Sequence, residues 1–194
     1  EDGQVVASYR QRDVANCATE IANGLIRESA LLQRLFDGFE VHLSSEVTSQ
    51  GSGLGASSSF AVTLAACFEQ LATLRRSGAK IPAMSDGGRQ RAAIFGWTAE
   101  IDRLYRPIGR QDHMAAAHGG LRLYRFEKAE ARVERSFSEE DGAWVAAHLA
   151  LLPLVDGHDS RTILSGVTHP DGLQVAYDAV EVAVAAITDR NVEL

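Results

Sequence analysis

The chain has 194 residues, room for one large domain or for one domain and part of a second. Apolar residues make up 45% and charged residues 23%, which excludes disordered and fibrous classes and allows a buried core without disulfide or zinc support. A net charge of −7 argues against general nucleic-acid binding, whose affinity comes from neutralising phosphates, but leaves room for a local basic site facing a small phosphorylated ligand.

Among the basic residues only Lys80 and Lys128 are lysines; the rest are arginines, the better fork for phosphate and carboxylate. Cys17 and Cys67 make neither a disulfide framework nor a zinc cluster, and Cys67 is expected as a small core residue inside an apolar helical pattern. The apolar stretch from Trp144 to Val155 is interrupted by His148 and Pro153 and is too short to span a bilayer. With no basic leader before an apolar core, a soluble, cytoplasmic setting with no membrane partner is expected.

In chain order, Val5 to Tyr9 predicts a short strand and Ala22 to Leu35 a helix. Phe39 to Ser44 alternates as a half-buried strand. A Gly/Ser segment follows and leads into Phe60, Leu64, Cys67, Phe68, Leu71 and Leu74, whose three- and four-residue spacing predicts a helix closed by Arg75, Arg76 and Gly78. Asp86 to Tyr105 predicts a second helix capped by Ser85 or Asp86, with Pro107 and Gly109 ending the stretch. Asp112 to Ala117 is a short helix stopped by Gly119 and Gly120, and Leu121 to Phe126 a strand. The charge-dense stretch from Phe126 to Ser138 is expected to hold a hinge between two units. Ser138 then opens a helix to His148, with Asp141 completing a loose capping box. Leu149 to Val155 is expected as a buried strand, with helices over Ser160 to Gly166 and Leu173 to Ile187. This mixed order gives an α+β class.

The Gly/Ser segment carries the first chemical signal. Gly51, Gly53 and Gly55 lie between a predicted strand and a predicted helix, where glycine lets backbone amides approach a ligand and the helix start adds unpaired N–H donors and a positive dipole end. Together these make a phosphate cradle. The spacing is neither GxGxxG nor a Walker A loop, because no Gly-Lys pair occurs. Ser57, Ser58 and Ser59 add hydroxyls able to cap amides, hold a phosphate oxygen or join a Mg²⁺ shell. They do not form a G-x-S-x-G elbow, which speaks against a serine hydrolase.

The second signal is an acid pair. Glu100 sits on the second predicted helix, and Asp112 follows in Pro107-Ile-Gly-Arg-Gln-Asp-His113. Phosphoryl transfer to a hydroxyl needs a phosphate cradle, groups for Mg²⁺, and a base or orienting group at the attacking oxygen. Asp112 at a helix start is kept ionised by the dipole, and Arg110 nearby would do the same or stabilise transferring charge. A dinucleotide oxidoreductase would need a ribose-binding acid about 20 residues past the loop, and Glu69 comes too early.

Gly51-Ser-Gly-Leu-Gly-Ala-Ser-Ser58, Glu100 and the run Ile108-Gly-Arg-Gln-Asp-His-Met-Ala-Ala-Ala-His-Gly-Gly120 resemble the GHMP kinase superfamily, and within it are most similar to D-glycero-D-manno-heptose 7-phosphate kinases and related sugar kinases. The resemblance implies an N-terminal ATP-binding domain like ribosomal protein S5 domain 2 over residues 1–130 and a ferredoxin-like C-terminal domain over 131–194. Gly51, Ser52, Gly53, Leu54, Gly55, Ala56, Ser57 and Ser58 would cradle the ATP triphosphate, and Ser57 and Glu100 would bind Mg²⁺. Asp112 would be the catalytic base or would orient the acceptor hydroxyl, with Arg110 and Gln111 beside the sugar. Arg161, at the start of a later predicted helix, would reach the sugar's phosphate or make a surface ion pair.

The sequence departs from the family pattern at Ser49, Ala56, Arg110 and His113, where proline, serine, lysine and glutamine are usual. His113 is expected on the helix surface. The family's first and third motifs are not found, so the fold is expected to be incomplete at both ends. The expected activity is ATP-dependent phosphorylation of the anomeric hydroxyl of a heptose 7-phosphate or related sugar; the alternative is a non-catalytic ligand-binding module on the same scaffold. The expected partner is a small sugar phosphate, and the expected assembly, if any, is a homodimer. No zinc site is expected from His42, His118, His148, His158 or His169, and Trp97 and Trp144 are expected as core or half-buried anchors.

Overall fold

The computed structural model describes residues 20–22, 24–25, 55–78, 83–102, 104–105, 108–128, 130–150 and 170–191, with side chains from 174 onward in the last stretch. The predicted strands at Val5 to Tyr9 and Phe39 to Ser44, and the helix at Ser160 to Gly166, lie outside these residues. Of the helix predicted over Ala22 to Leu35, only its first turn is described, with Ile21 and Leu25 buried. Among the described residues, those up to His118 belong to one compact unit and those from Gly119 on to a second.

Among the described residues of the first unit, α1 (Ala56–Ser77), α2 (Asp86–Asp102) and α3 (Gln111–His118) each pack on the other two. Small residues dominate their contact faces: Ala61, Ala65 and Ala72 of α1, Ala92, Ala93 and Ala99 of α2, and Ala117 of α3 are buried beside Val62, Leu64, Phe68 and Met114. Alanine adds little side-chain entropy cost and lets helix backbones approach. The approach is closest at Gly96, where an added Cβ would lie 3.2 Å from the Ala61 carbonyl carbon and 3.3 Å from its Cβ.

The boundaries follow the sequence signals. Gly78 ends α1 in the left-handed region (φ 62°), its N–H donating to the Leu74 carbonyl at 2.8 Å, with Arg75 and Arg76 in the last turn. Ser85, not Asp86, caps α2: its Oγ accepts from the Gly88 N–H at 3.2 Å. Cys67 corrects its expected place in the core, because it is exposed. It shares an outward row with Ser59 and Thr63 at four-residue spacing, one step off the buried row of Leu64 and Phe68.

The second unit opens with β1 (Arg122–Phe126) and β2 (Ala131–Ser136), an antiparallel pair and the only sheet among the described residues. The expected hinge from Phe126 to Ser138 is thus largely a strand. Its register shifts between Leu123, opposite Arg135, and Tyr124, opposite Val133, leaving Glu134 as the extra residue of a bulge. Arg125 donates to both Glu134 carboxylate oxygens at 2.8 and 2.7 Å.

Helix α4 (Glu139–His148) starts with the predicted capping box: the Asp141 N–H donates to Ser138 Oγ and the Ser138 N–H to Asp141 Oδ2, both at 3.0 Å. Leu149 is its C-cap and is exposed rather than the start of a buried strand; residues 151–155 lie outside the described set. Helix α5 (Pro170–Asp189) follows, and Arg190 just beyond it donates to Glu140 at 2.9 Å. The Arg190 hydrogen bond holds the Glu140 carboxyl below the usual range, and the Ser138 hydrogen bonds do the same for Asp141. Both tryptophans are half-buried, as expected. Among the described residues no helix is long and apolar enough to cross a membrane.

Candidate functional site

The first unit gathers its chemical groups where α1 begins and α3 begins. Gly55 precedes α1 at φ 67° and ψ 26°, left-handed backbone that glycine reaches without steric cost. Among the described residues no side chain caps this helix start, and no acidic residue stands in its first turn. Its dipole and N–H groups therefore meet no carboxylate of their own turn, which favours an anion. Ser57 is half-buried in that turn and Ser58 is buried. Gly51, Ser52, Gly53 and Leu54 lie outside the described residues, as does Arg161.

Asp112 comes to this mouth from 57 positions along the chain. A Cβ placed on Gly55 would lie 3.5 Å from the Asp112 Cβ, 3.6 Å from its Cγ and 3.7 Å from Oδ2. The glycine turn and the carboxylate expected to serve the acceptor are thus in van der Waals reach. Asp112 is exposed in the first turn of α3. Gln111 beside it is exposed as well.

Arg110 lies over the Trp97 ring, its Cζ 4.8 Å from the centroid, a cation–π contact that holds the guanidinium against α2. The Trp97 Nε1–H donates to the Ile108 carbonyl at 3.2 Å. The Met114 N–H donates to the Arg110 carbonyl at 3.0 Å and closes the first turn of α3.

Glu100 and His113 depart most from expectation. His113 is not on the helix surface: it is fully buried, with Nε2 3.1 Å from Glu100 Oε1, and Glu100 has no exposed surface. The missed signal was the stripe His113, Met114, Ala117, His118, a one-sided 3.6-residue pattern all of whose members are buried. Mg²⁺ keeps several waters and binds through one or two carboxylates with substrate phosphates. A wholly enclosed carboxylate already bonded to His113 does not fit that role; of the two residues expected around Mg²⁺, Ser57 alone stands at the helix mouth. Among the described residues no group of three or more His, Cys, Asp or Glu side chains could hold a metal ion.

A glycine turn at the start of α1 thus lies beside a carboxylate from the start of α3. Residues 16–120 match the family described as GHMP kinases N terminal domain, more than half of the chain. The chain belongs to the GHMP kinase family, whose members generally use ATP and Mg²⁺. Comparison with curated proteins and with solved structures gives no match.

Proposed function

We propose that the chain is an ATP-dependent small-molecule kinase that phosphorylates a sugar hydroxyl, the anomeric hydroxyl of a heptose 7-phosphate or a related sugar being the reading its motifs favour. The proximity of Asp112 to Gly55 carries this reading, since it brings a phosphate-holding element and a proton acceptor together. The heptose assignment rests on the resemblance of Ile108 to Gly120. The S5-like and ferredoxin-like halves, over 1–130 and 131–194, belong to the same proposal, as do a cytoplasmic setting and a sugar phosphate as partner.

In this reading Gly55 to Ser58, with Gly51 to Leu54 before them, hold the triphosphate through backbone N–H groups, and ATP supplies the γ-phosphoryl group. Asp112 accepts the proton of the attacking hydroxyl and holds that oxygen in line. Arg110 and Gln111 line the acceptor side, and Arg161 meets the sugar phosphate. The larger share of the rate comes from positioning and from fixed dipoles rather than covalent chemistry. No step is assigned to a protein-bound Mg²⁺, because Glu100 is enclosed; the metal enters with ATP.

The test is ADP release with a panel of sugar phosphates. Asp112→Asn should lower turnover by about 10²- to 10⁴-fold while ATP binding persists. Turnover at the wild-type rate in Asp112→Asn would refute the base assignment. ATP binding with no turnover on any sugar phosphate would favour the non-catalytic module, a reading that Ala56 in place of the usual loop serine also supports.

A further inference from the structure

We propose that His113 is the positioning residue for Asp112, and that Glu100 serves as its anchor rather than as a cation ligand. The inference rests on the reading of Asp112 as the base. Its ground is the way α2 grips the segment that carries Asp112. Trp97 and Glu100 are three residues apart, and so lie on one face of α2. Trp97 holds the segment's beginning, through the Ile108 carbonyl at 3.2 Å and the Arg110 guanidinium over its ring. Glu100 holds its end, through His113 Nε2 at 3.1 Å. Between these grips stands Asp112.

Successive residues of a helix point about 100° apart. The first turn of α3 therefore has two faces: His113 turned into the α2 contact, and Asp112 turned to Gly55. Fixing one fixes the other. A shift of the ring would carry the carboxyl group away from the helix mouth, and a displacement of about 1 Å can cost about 100-fold in rate.

The pair is poorly explained as a stabilising device. With the Glu100 carboxylate accepting, Nε2 carries the hydrogen, and Nδ1 is left buried with no hydrogen-bond partner among the described residues. Buried polar groups left partly unsatisfied are disfavoured, and apolar side chains would pack this stripe at less cost, as Met114 and Ala117 do one position and one turn on. What the polar pair adds is direction: a hydrogen bond orients the ring, and a methyl contact does not.

The test compares His113→Ala, His113→Gln, Asp112→Asn and the Asp112→Asn/His113→Ala double variant, with kcat and KM measured separately for MgATP and the sugar phosphate. His113→Ala should lower kcat about 10- to 100-fold with KM for ATP within about twofold. His113→Gln, whose carboxamide N–H can donate to Glu100 as Nε2 does, should recover most of it. Once Asp112 is neutralised, removing His113 should cost nothing more. Glu100→Gln should leave the Mg²⁺ dependence of turnover at wild type.

Losses that multiply in the double variant would overturn the positioning role, and so would failure of His113→Gln to rescue. A raised Mg²⁺ requirement in Glu100→Gln would overturn the anchor role. Asp112→Asn at wild-type turnover would bring down the base assignment instead, a distinct outcome. Hydrogen exchange gives a reading independent of turnover: His113→Ala should speed exchange of the Met114 amide about tenfold or more while the amides in the middle of α1 keep their protection. Unchanged exchange at Met114 would overturn the grip itself.

Discussion

The two units hold their charges in opposite ways. In the first, the Glu100–His113 pair is sealed inside a packing of alanines. In the second, Arg125–Glu134 and Arg190–Glu140 bridge elements at the surface, and α5 shows water Val175, Tyr177, Val180 and Val182. A buried pair is shielded from salt and fixed in geometry, whereas exposed pairs are screened and contribute little to stability. The contrast teaches where geometry is held tightly. The carboxylate proposed for catalysis belongs to the close-packed unit, next to an enclosed hydrogen bond.

Substitutions can break this contrast, beginning with the largest effect on stability. Gly96→Leu forces a side chain into the α1–α2 seam, where a Cβ alone would meet Ala61 at 3.2–3.3 Å. It should destabilise by about 3 kcal/mol in denaturant unfolding; a wild-type midpoint would mean the seam is loose. Gly55→Ala puts a side chain at φ 67° and should cost about 1–2 kcal/mol, with weaker ATP binding by equilibrium titration. Gly78→Ala is the control, equally left-handed at φ 62° but with nothing within 4 Å of the added Cβ, so its cost should appear in unfolding and not in ATP affinity.

The second unit should respond more mildly. Ser138→Ala removes one arm of the capping box and should cost about 1 kcal/mol, seen as reduced protection of the α4 first-turn amides. The smallest effect is that of acid. Glu134, Glu140 and Asp141 have folded-state pKa values below their ordinary ones, so the unfolded state binds protons first. Their contribution is fully present above the ordinary carboxylate range, about pH 4, and is lost as pH falls through the lowered folded values. Strand and α4 signals should weaken there, and raised salt should shrink the change.

Much of the helical frame was legible before any coordinates. The three- and four-residue rows gave α1, Gly78 its stop, and Ser138 with Asp141 the start of α4. These signals are local, each set by residues within a turn or two. β2 was hidden because Arg132, Glu134 and Arg135 read as a charged hinge, and the bulge at Glu134 breaks the alternation that would have marked a strand. Cys67 is an apolar type on an outward row, which the polar Ser59 and Thr63 at four-residue spacing mark and its own residue type does not. In the site, the motifs named Gly55 and Asp112, but motif spacing says nothing of what Glu100 touches. Its bond to His113 spans two helices and exists only once α2 and α3 pack.

The alanine seam between α1 and α2 has a consequence for how this sequence can vary. A side chain at Gly96 would meet the Ala61 carbonyl carbon at 3.2 Å and the Val62 nitrogen at 3.3 Å as well as the Ala61 methyl, so trimming Ala61 to glycine does not make room for it. Random drift should therefore pile up on the outward rows of these helices, and libraries built for new substrates should keep the seam untouched and spend their diversity elsewhere.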